Sequence, residues 1–146
     1  GRLVDVAVAK ATPGAARNGT AGRDTIVGTA GDDVITAGAG ADTVTGGAGG
    51  DVFRFTSTRD AGDTITDFTP YADKLDLSAL LGSLGVTGNG VLTGHIRFAD
   101  TTGGVQVLLD TDGAAGPAVA RPLAMLKGLT AAQMAPGRDL LAPIAP

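Results

Sequence analysis

From Gly19 to Phe53 the large apolar side chains come singly, at Ile26, Ile35, Val44 and Phe53, nine residues apart. That period is too long for one helical face and too sparse for one continuous alternating strand. It fits a unit made of a six-residue turn and a three-residue strand, whose middle residue faces inward while its two neighbours face out. Counted from Gly19, the units are GTAGRDTIV (19–27), GTAGDDVIT (28–36), AGAGADTVT (37–45) and GGAGGDVFR (46–54). Position four is always Gly (Gly22, Gly31, Gly40, Gly49) and position six always Asp (Asp24, Asp33, Asp42, Asp51). Two units make one coil, so each turn stacks on the turn two units later. The pattern predicts an all-β chain built around a right-handed parallel β-roll, in layers that cannot bury their faces alone.

The pattern changes on either side of the array. Leu3–Ala9 alternates as a strand does and is followed by a loop, KATPGAARN. After the array, FRFT and TITDF are predicted as strands, and PYADKLDLSALLGSL as a turn leading into a short apolar helix or irregular cap. A hairpin is expected from His95–Asp100 and Val105–Asp110 around the turn TTGG. PLAMLKGLTAAQM reads either as a strand plus a short helix or as one marginal helix, and the tail DLLAPIAP is expected to fray. This divides the chain into an N-terminal strand and linker (1–18), the nonapeptide array (19–54) and a β-rich C-terminal cap with one or two short helices (55–146).

Composition sharpens the reading. All 15 acidic residues are Asp, which favours turns and caps over long helices. Residues 19–76 hold ten Asp against Arg23, Arg54, Arg59 and Lys74, a local charge of −6 within a chain of net charge −4. A net-acidic chain with 3% aromatic residues suits neither nucleic acid nor, lacking a long apolar run, stable membrane insertion. The opening GRLVDVAVAK is too short and charged for a secretory leader, and no Cys is present to form a disulfide.

The array poses an energetic problem. Four inward side chains, each worth roughly 1.5–3 kcal/mol on burial, stand against 36 backbone residues that each cost about 1–2 kcal/mol to order. Stacking also brings Asp24 against Asp42 and Asp33 against Asp51, pairs that repel unless a cation lies between them. Ca²⁺ takes six to eight oxygen ligands in forgiving geometry, Mg²⁺ demands a tight octahedron, and zinc and copper prefer His or thiolate. The candidate metal residues are the Asp columns and the turns that offer backbone carbonyls. These are Gly19, Thr20, Ala21, Gly22 and Asp24, then Gly28, Thr29, Ala30, Gly31 and Asp33, then Gly38, Gly40 and Asp42, then Gly47, Gly49 and Asp51. Several Ca²⁺ ions are expected.

The segment GTAGDDVITAGAGADTVTGGAGGDVF resembles the RTX (repeats-in-toxin) nonapeptide GGxGxDxUx of calcium-binding β-rolls. Ala37 departs from Gly at position one, and Thr20 and Thr29 at position two, where positive φ is costly for a β-branched residue. On account of these two threonines the first coil is expected to bind calcium less tightly. DVFRFTSTRDAGDTITDFTPYADKLDLSALL is similar to the segment that follows the repeats in secreted RTX proteases, epimerases and adhesins. That resemblance implies metal roles for Asp60, Asp63 and Asp73, and a turn or capping role for Asp67 and Asp76. GGVQVLLDTDG through DLL looks, more loosely, like the C-terminal domain of type I secretion substrates.

Catalysis has little support. There is no H-E-x-x-H, no Cys, no Ser with a base beside it, and the GSLG at Gly82–Gly85 is not a nucleophile elbow. DTDG at Asp110–Gly113 starts like an EF-hand loop but lacks the later acids and closing Glu, so a hairpin end is expected. His95 reads as a strand residue, and Asn18 as a turn residue despite its N-G-T sequon. The chain is therefore expected to be a non-enzymatic module, monomeric when isolated and secreted or at a bacterial cell surface. The resemblance implies that its partners are the type I secretion machinery: an ABC transporter, an adaptor and an outer-membrane channel. Leu3–Ala9 is either the last strand of a preceding immunoglobulin-like repeat, as in large RTX adhesins, or a strand of this domain's own sheet. The alternative function is a polysaccharide-binding module appended to a secreted epimerase or hydrolase.

Overall fold

The computed structural model describes residues 16–56, 62–70, 72–86, 94–113, 116, 120–134 and 140–141. The expected strand at Leu3–Ala9 and Asp60 lie outside these residues. Four three-residue strands follow the nonapeptide period: β2 (Thr25–Val27), β3 (Val34–Thr36), β4 (Thr43–Thr45) and β5 (Val52–Arg54). Each has its position-eight residue in the middle, and Ile35, Val44 and Phe53 are buried there. Strands two units apart pair in parallel and in register, Ile26 against Val44 and Ile35 against Phe53. The result is a parallel roll of about three coils.

Both sheets continue past the array. One runs β1–β3–β5–β7–β11, where β1 is Ala16–Asn18, β7 is Lys74–Asp76 and β11 is Leu140–Leu141. The other runs β2–β4–β6–β10–β9–β8, with β6 at Asp63–Ile65, β8 at Ile96–Thr101, β9 at Gly104–Leu109 and β10 at Arg121–Lys127. Strand β10 joins the two halves of the molecule. It pairs parallel with β6 on one side and antiparallel with β9 on the other. Its register shifts between Pro122 and Ala124, where a proline that cannot donate is accommodated by an irregularity in the ladder.

Several details differ from the sequence expectation. Ala16–Asn18, expected in the linker loop, pairs with β3 because the open edge of that strand offers a ladder for it. The hairpin is shifted by about one residue, and its turn tightens to Thr102–Gly103. The start of the tail is stapled rather than frayed: Leu140 is buried and pairs with Leu75 at the end of the first sheet. After β7 comes a helix, α1 (Ser78–Ser83), which buries Leu80 and Leu81, and a 3-10 turn follows β10 at Ala131–Gln133.

The core is also larger than the thin stack of four. Ile65 and Leu75 extend the inward column, and Phe55, Phe68, Leu77, Leu123 and Leu126 join it from the cap. Phe53 and Phe68 touch with ring centroids 6.1 Å apart. The cap thus supplies apolar bulk that a nine-residue repeat has no room to carry. Among the described residues no helix is long and apolar enough to cross a membrane.

Candidate metal centre

Each array Asp stands immediately before its strand, so strand pairing brings Asp residues of successive coils together. The backbone N–H of Asp24 donates to Oδ1 of Asp42 at 2.7 Å, and that of Asp42 to Oδ1 of Asp63 at 2.8 Å. On the other edge, Asp33 donates to Asp51 at 2.9 Å and Asp51 to Asp73 at 2.8 Å. Two ladders result, Asp24–Asp42–Asp63 and Asp33–Asp51–Asp73. All of these carboxylates except Asp24 are buried. A hydrogen bond to an ionised carboxylate offsets part of its desolvation, and here it uses one oxygen each of Asp42, Asp51, Asp63 and Asp73.

The second oxygen reveals the deficit. Oδ2 of Asp51 is buried with no hydrogen-bond partner. Burial pushes the Asp51 carboxyl up to about 7, against the lowering effect of the Asp33 N–H, and the charges of Asp73, Asp33 and Asp67 push it further. Asp73 is raised as well, first by burial, with the N–H groups of Asp51 and Thr69 opposing and Asp67 and Asp32 adding repulsion. A carboxyl whose folded pKa is raised favours folding below its unfolded value and loses that advantage as pH rises through the folded one. In chelator the chain should therefore keep more β structure at pH 5 than at pH 8. With calcium the order should reverse, because the ionised form is the ligand; circular dichroism at the two pH values, with and without chelator, reads this directly.

Backbone oxygens crowd the same edges. Between the turns ending at Asp24 and Asp42, a Cβ placed on Gly38 would lie 2.6 Å from the Thr20 carbonyl oxygen, and one on Gly40 2.7 Å from that of Gly22. Between the turns of Asp33 and Asp51, a Cβ on Gly47 would lie 2.4 Å from the Thr29 carbonyl oxygen and one on Gly28 2.3 Å from that of Gly46. Gly49 has φ +87°, and a Cβ there would sit 2.6 Å from the Gly31 oxygen. Gly49→Ala should therefore cost at least about 1–2 kcal/mol from the left-handed backbone alone, with the clash added, and thermal unfolding in calcium should show it.

Among the described residues no three acidic or His side chains converge on one point. Each edge instead joins paired carboxylates to several main-chain carbonyls. An all-oxygen set containing a desolvated, partnerless carboxylate oxygen fits a hard cation of flexible geometry, which is calcium rather than zinc. Asp24, Asp33, Asp42, Asp51, Asp63 and Asp73 would hold it, with carbonyls from the turns at Gly19–Gly22, Gly28–Gly31, Gly38–Gly40 and Gly47–Gly49. Ala21 and Ala30 lie at exposed turn tips.

Two further acids shape these turns. Asp67 accepts the N–H groups of Gly46 and Gly47 at 2.9 and 2.8 Å, the turn role expected for it. Asp76 accepts from Ser78 at the start of α1 and pairs with Arg54 at 3.5 Å. Asp32 was not among the expected residues, yet its Oδ1 takes the Gly50 N–H at 2.7 Å. The doublet Asp32–Asp33 was the available signal.

Residues 18–53 match the family model described as RTX calcium-binding nonapeptide repeat (4 copies). No curated protein matches the chain significantly. Among solved structures, the chain is similar to the AlgE6R2 subunit of the Azotobacter vinelandii mannuronan C5-epimerase. The identity is 29% over 96% of this chain and 99% of that chain, with a TM-score of 0.59. The AlgE6R3 subunit of the same epimerase aligns at 28% identity over 85% and 80% of the two chains, TM-score 0.49. The C-terminal domain (RV) of MpAFP aligns at 29% over 77% and 75%, TM-score 0.36. Residues 18–53 thus belong to the RTX calcium-binding nonapeptide repeats, carried here in an all-β parallel roll.

Proposed function

We propose that the chain is a calcium-dependent folding and type I secretion module of a larger extracellular RTX protein. The buried, partnerless Oδ2 of Asp51 carries the reading. Without a cation the Asp ladders oppose folding, and an unfolded chain suits passage through an ABC transporter, its adaptor and an outer-membrane channel. Outside a bacterial cell, calcium binds the ladders and the roll forms, which opposes backsliding. Residues 55–146 would serve as cap and secretion-signal region. The module itself performs no catalysis; its role is structural, and the parent is an adhesin or a comparable secreted protein. The test is a calcium titration followed by circular dichroism, with magnesium as control. Disorder in chelator and a cooperative gain of β signal with calcium are expected; the same signal in both would sink the proposal.

A second reading draws on the whole-chain similarity to an epimerase subunit. In it the surface binds an anionic polysaccharide such as alginate. A polyanion needs unopposed cations, but Arg54 and Arg97 are paired with Asp76 and Asp110. Retention on immobilised alginate at constant calcium tests it, and the pairing favours no retention.

A further inference from the structure

We infer that Thr20 is a positioning residue that closes the N-terminal end of the Asp24–Asp42–Asp63 ladder, doing within its own turn what the neighbouring coil does elsewhere. The inference rests on the calcium reading above. Inside the ladders, Oδ1 of each Asp accepts the N–H of the Asp one coil earlier, as Asp42 does from Asp24. Asp24 has no such donor among the described residues, because β2 is the terminal strand of its sheet. Thr20 takes the position instead. Its hydroxyl lies 3.0 Å from Oδ1 of Asp24 and its N–H 2.6 Å from Oδ2. The same hydroxyl accepts the N–H of Gly22 at 3.2 Å, tying the turn to the carboxylate.

Two comparisons inside the molecule support the assignment. At position two of the third and fourth repeats stand Gly38 and Gly47, both at φ +88°, which offer no side chain where a neighbouring coil already supplies the donor. Thr69 stands four residues before Asp73, as Thr20 does before Asp24, and its N–H likewise reaches Oδ2 at 2.8 Å. There Oδ1 is already held by the Asp51 N–H, and the Thr69 hydroxyl turns to the Asp67 carbonyl at 3.1 Å. Thr29 makes the same contacts to Asp33, its hydroxyl 2.8 Å from Oδ1 and its N–H 2.6 Å from Oδ2, at the head of the Asp33–Asp51–Asp73 ladder. The hydroxyl thus holds the first Asp of each ladder and leaves Asp73, the last of its own. Thr at position two, a departure expected to weaken the first coil, thus stabilises its carboxylate.

Thr20→Val keeps the β-branch and removes the hydroxyl, Thr20→Ser keeps the hydroxyl, and Thr69→Val is the matched control. Calcium midpoints are read by circular dichroism, and amide hydrogen exchange is followed at Gly22, Asp24 and Thr43 in saturating calcium. Thr20→Val should raise the midpoint roughly two- to fivefold, the scale of one lost hydrogen bond, and speed exchange at those three amides. Thr20→Ser should restore both, and Thr69→Val should change neither. A Val variant that behaves as the parent, a Ser variant no better than Val, or an equal response from Thr69→Val would each overturn the cap. If the parent shows no calcium response, the secretion reading fails by itself, and the exchange rates still decide whether Thr20 holds Asp24.

Discussion

Chelating the calcium should remove most of the β-sheet signal of this chain, in one cooperative step. The roll strands are three residues long, and each contributes one inward side chain. At calcium one hundred times above the dissociation constant, each ion adds about 2.7 kcal/mol to stability. Several ions therefore contribute on the scale of a whole domain's net stability, about 5–15 kcal/mol. The antiparallel strands should melt together with the roll, because β10 is hydrogen-bonded to β6 and shares a core with Ile65 and Phe53. Magnesium should fail to restore the signal at equal concentration, since it is reluctant to shed water for a set dominated by carbonyls. Retained β8–β10 structure in chelator, seen as persistent amide protection at Val105 and Val107, would show instead that the cap folds alone.

Asp51→Asn should change sign with calcium. In chelator at pH 8 the native carboxylate is desolvated, with neighbouring charges around it, and its pKa near 7 means that folding forces an ionised group into an unfavourable place. An amide keeps an acceptor for the Asp33 N–H and carries no charge, so the variant should retain more β signal than the parent, by up to a few kcal/mol. At pH 5 the parent is protonated and the difference should shrink. In calcium the order inverts. The amide brings no charge to the ion, so the midpoint should rise and the maximum stability fall. A variant weaker than its parent in both conditions would mean that Asp51 serves packing alone.

Much of this architecture was legible in the chain. The nine-residue return of Ile26, Ile35, Val44 and Phe53 gives the strand positions, because a three-residue strand has one inward place. The coincidence of Asp24, Asp33, Asp42 and Asp51 with that return gives the two acidic edges. The cap was less legible. Leu140 pairs with Leu75 across 65 residues, and no local period announces such a partner. The use of β10 as a hinge between parallel and antiparallel pairing depends equally on what lies beside it.

The roles of individual oxygens divide in the same way. Repetition alone determined that carboxylates would face one another along the roll, since identical units stacked in register must superpose identical residues. Which carboxylate is saturated and which is not was decided by the fold. Thr20 and Thr69 occupy equivalent places before an Asp, yet one hydroxyl holds its carboxylate and the other does not: Asp73 receives the Asp51 N–H from the coil behind it, whereas among the described residues Asp24 receives no such N–H. Sequence sets the chemistry available at each rung, while burial and the neighbouring coil set the donors that reach it. An unmet charge in a repeat protein is therefore a property of position in the stack as much as of residue type.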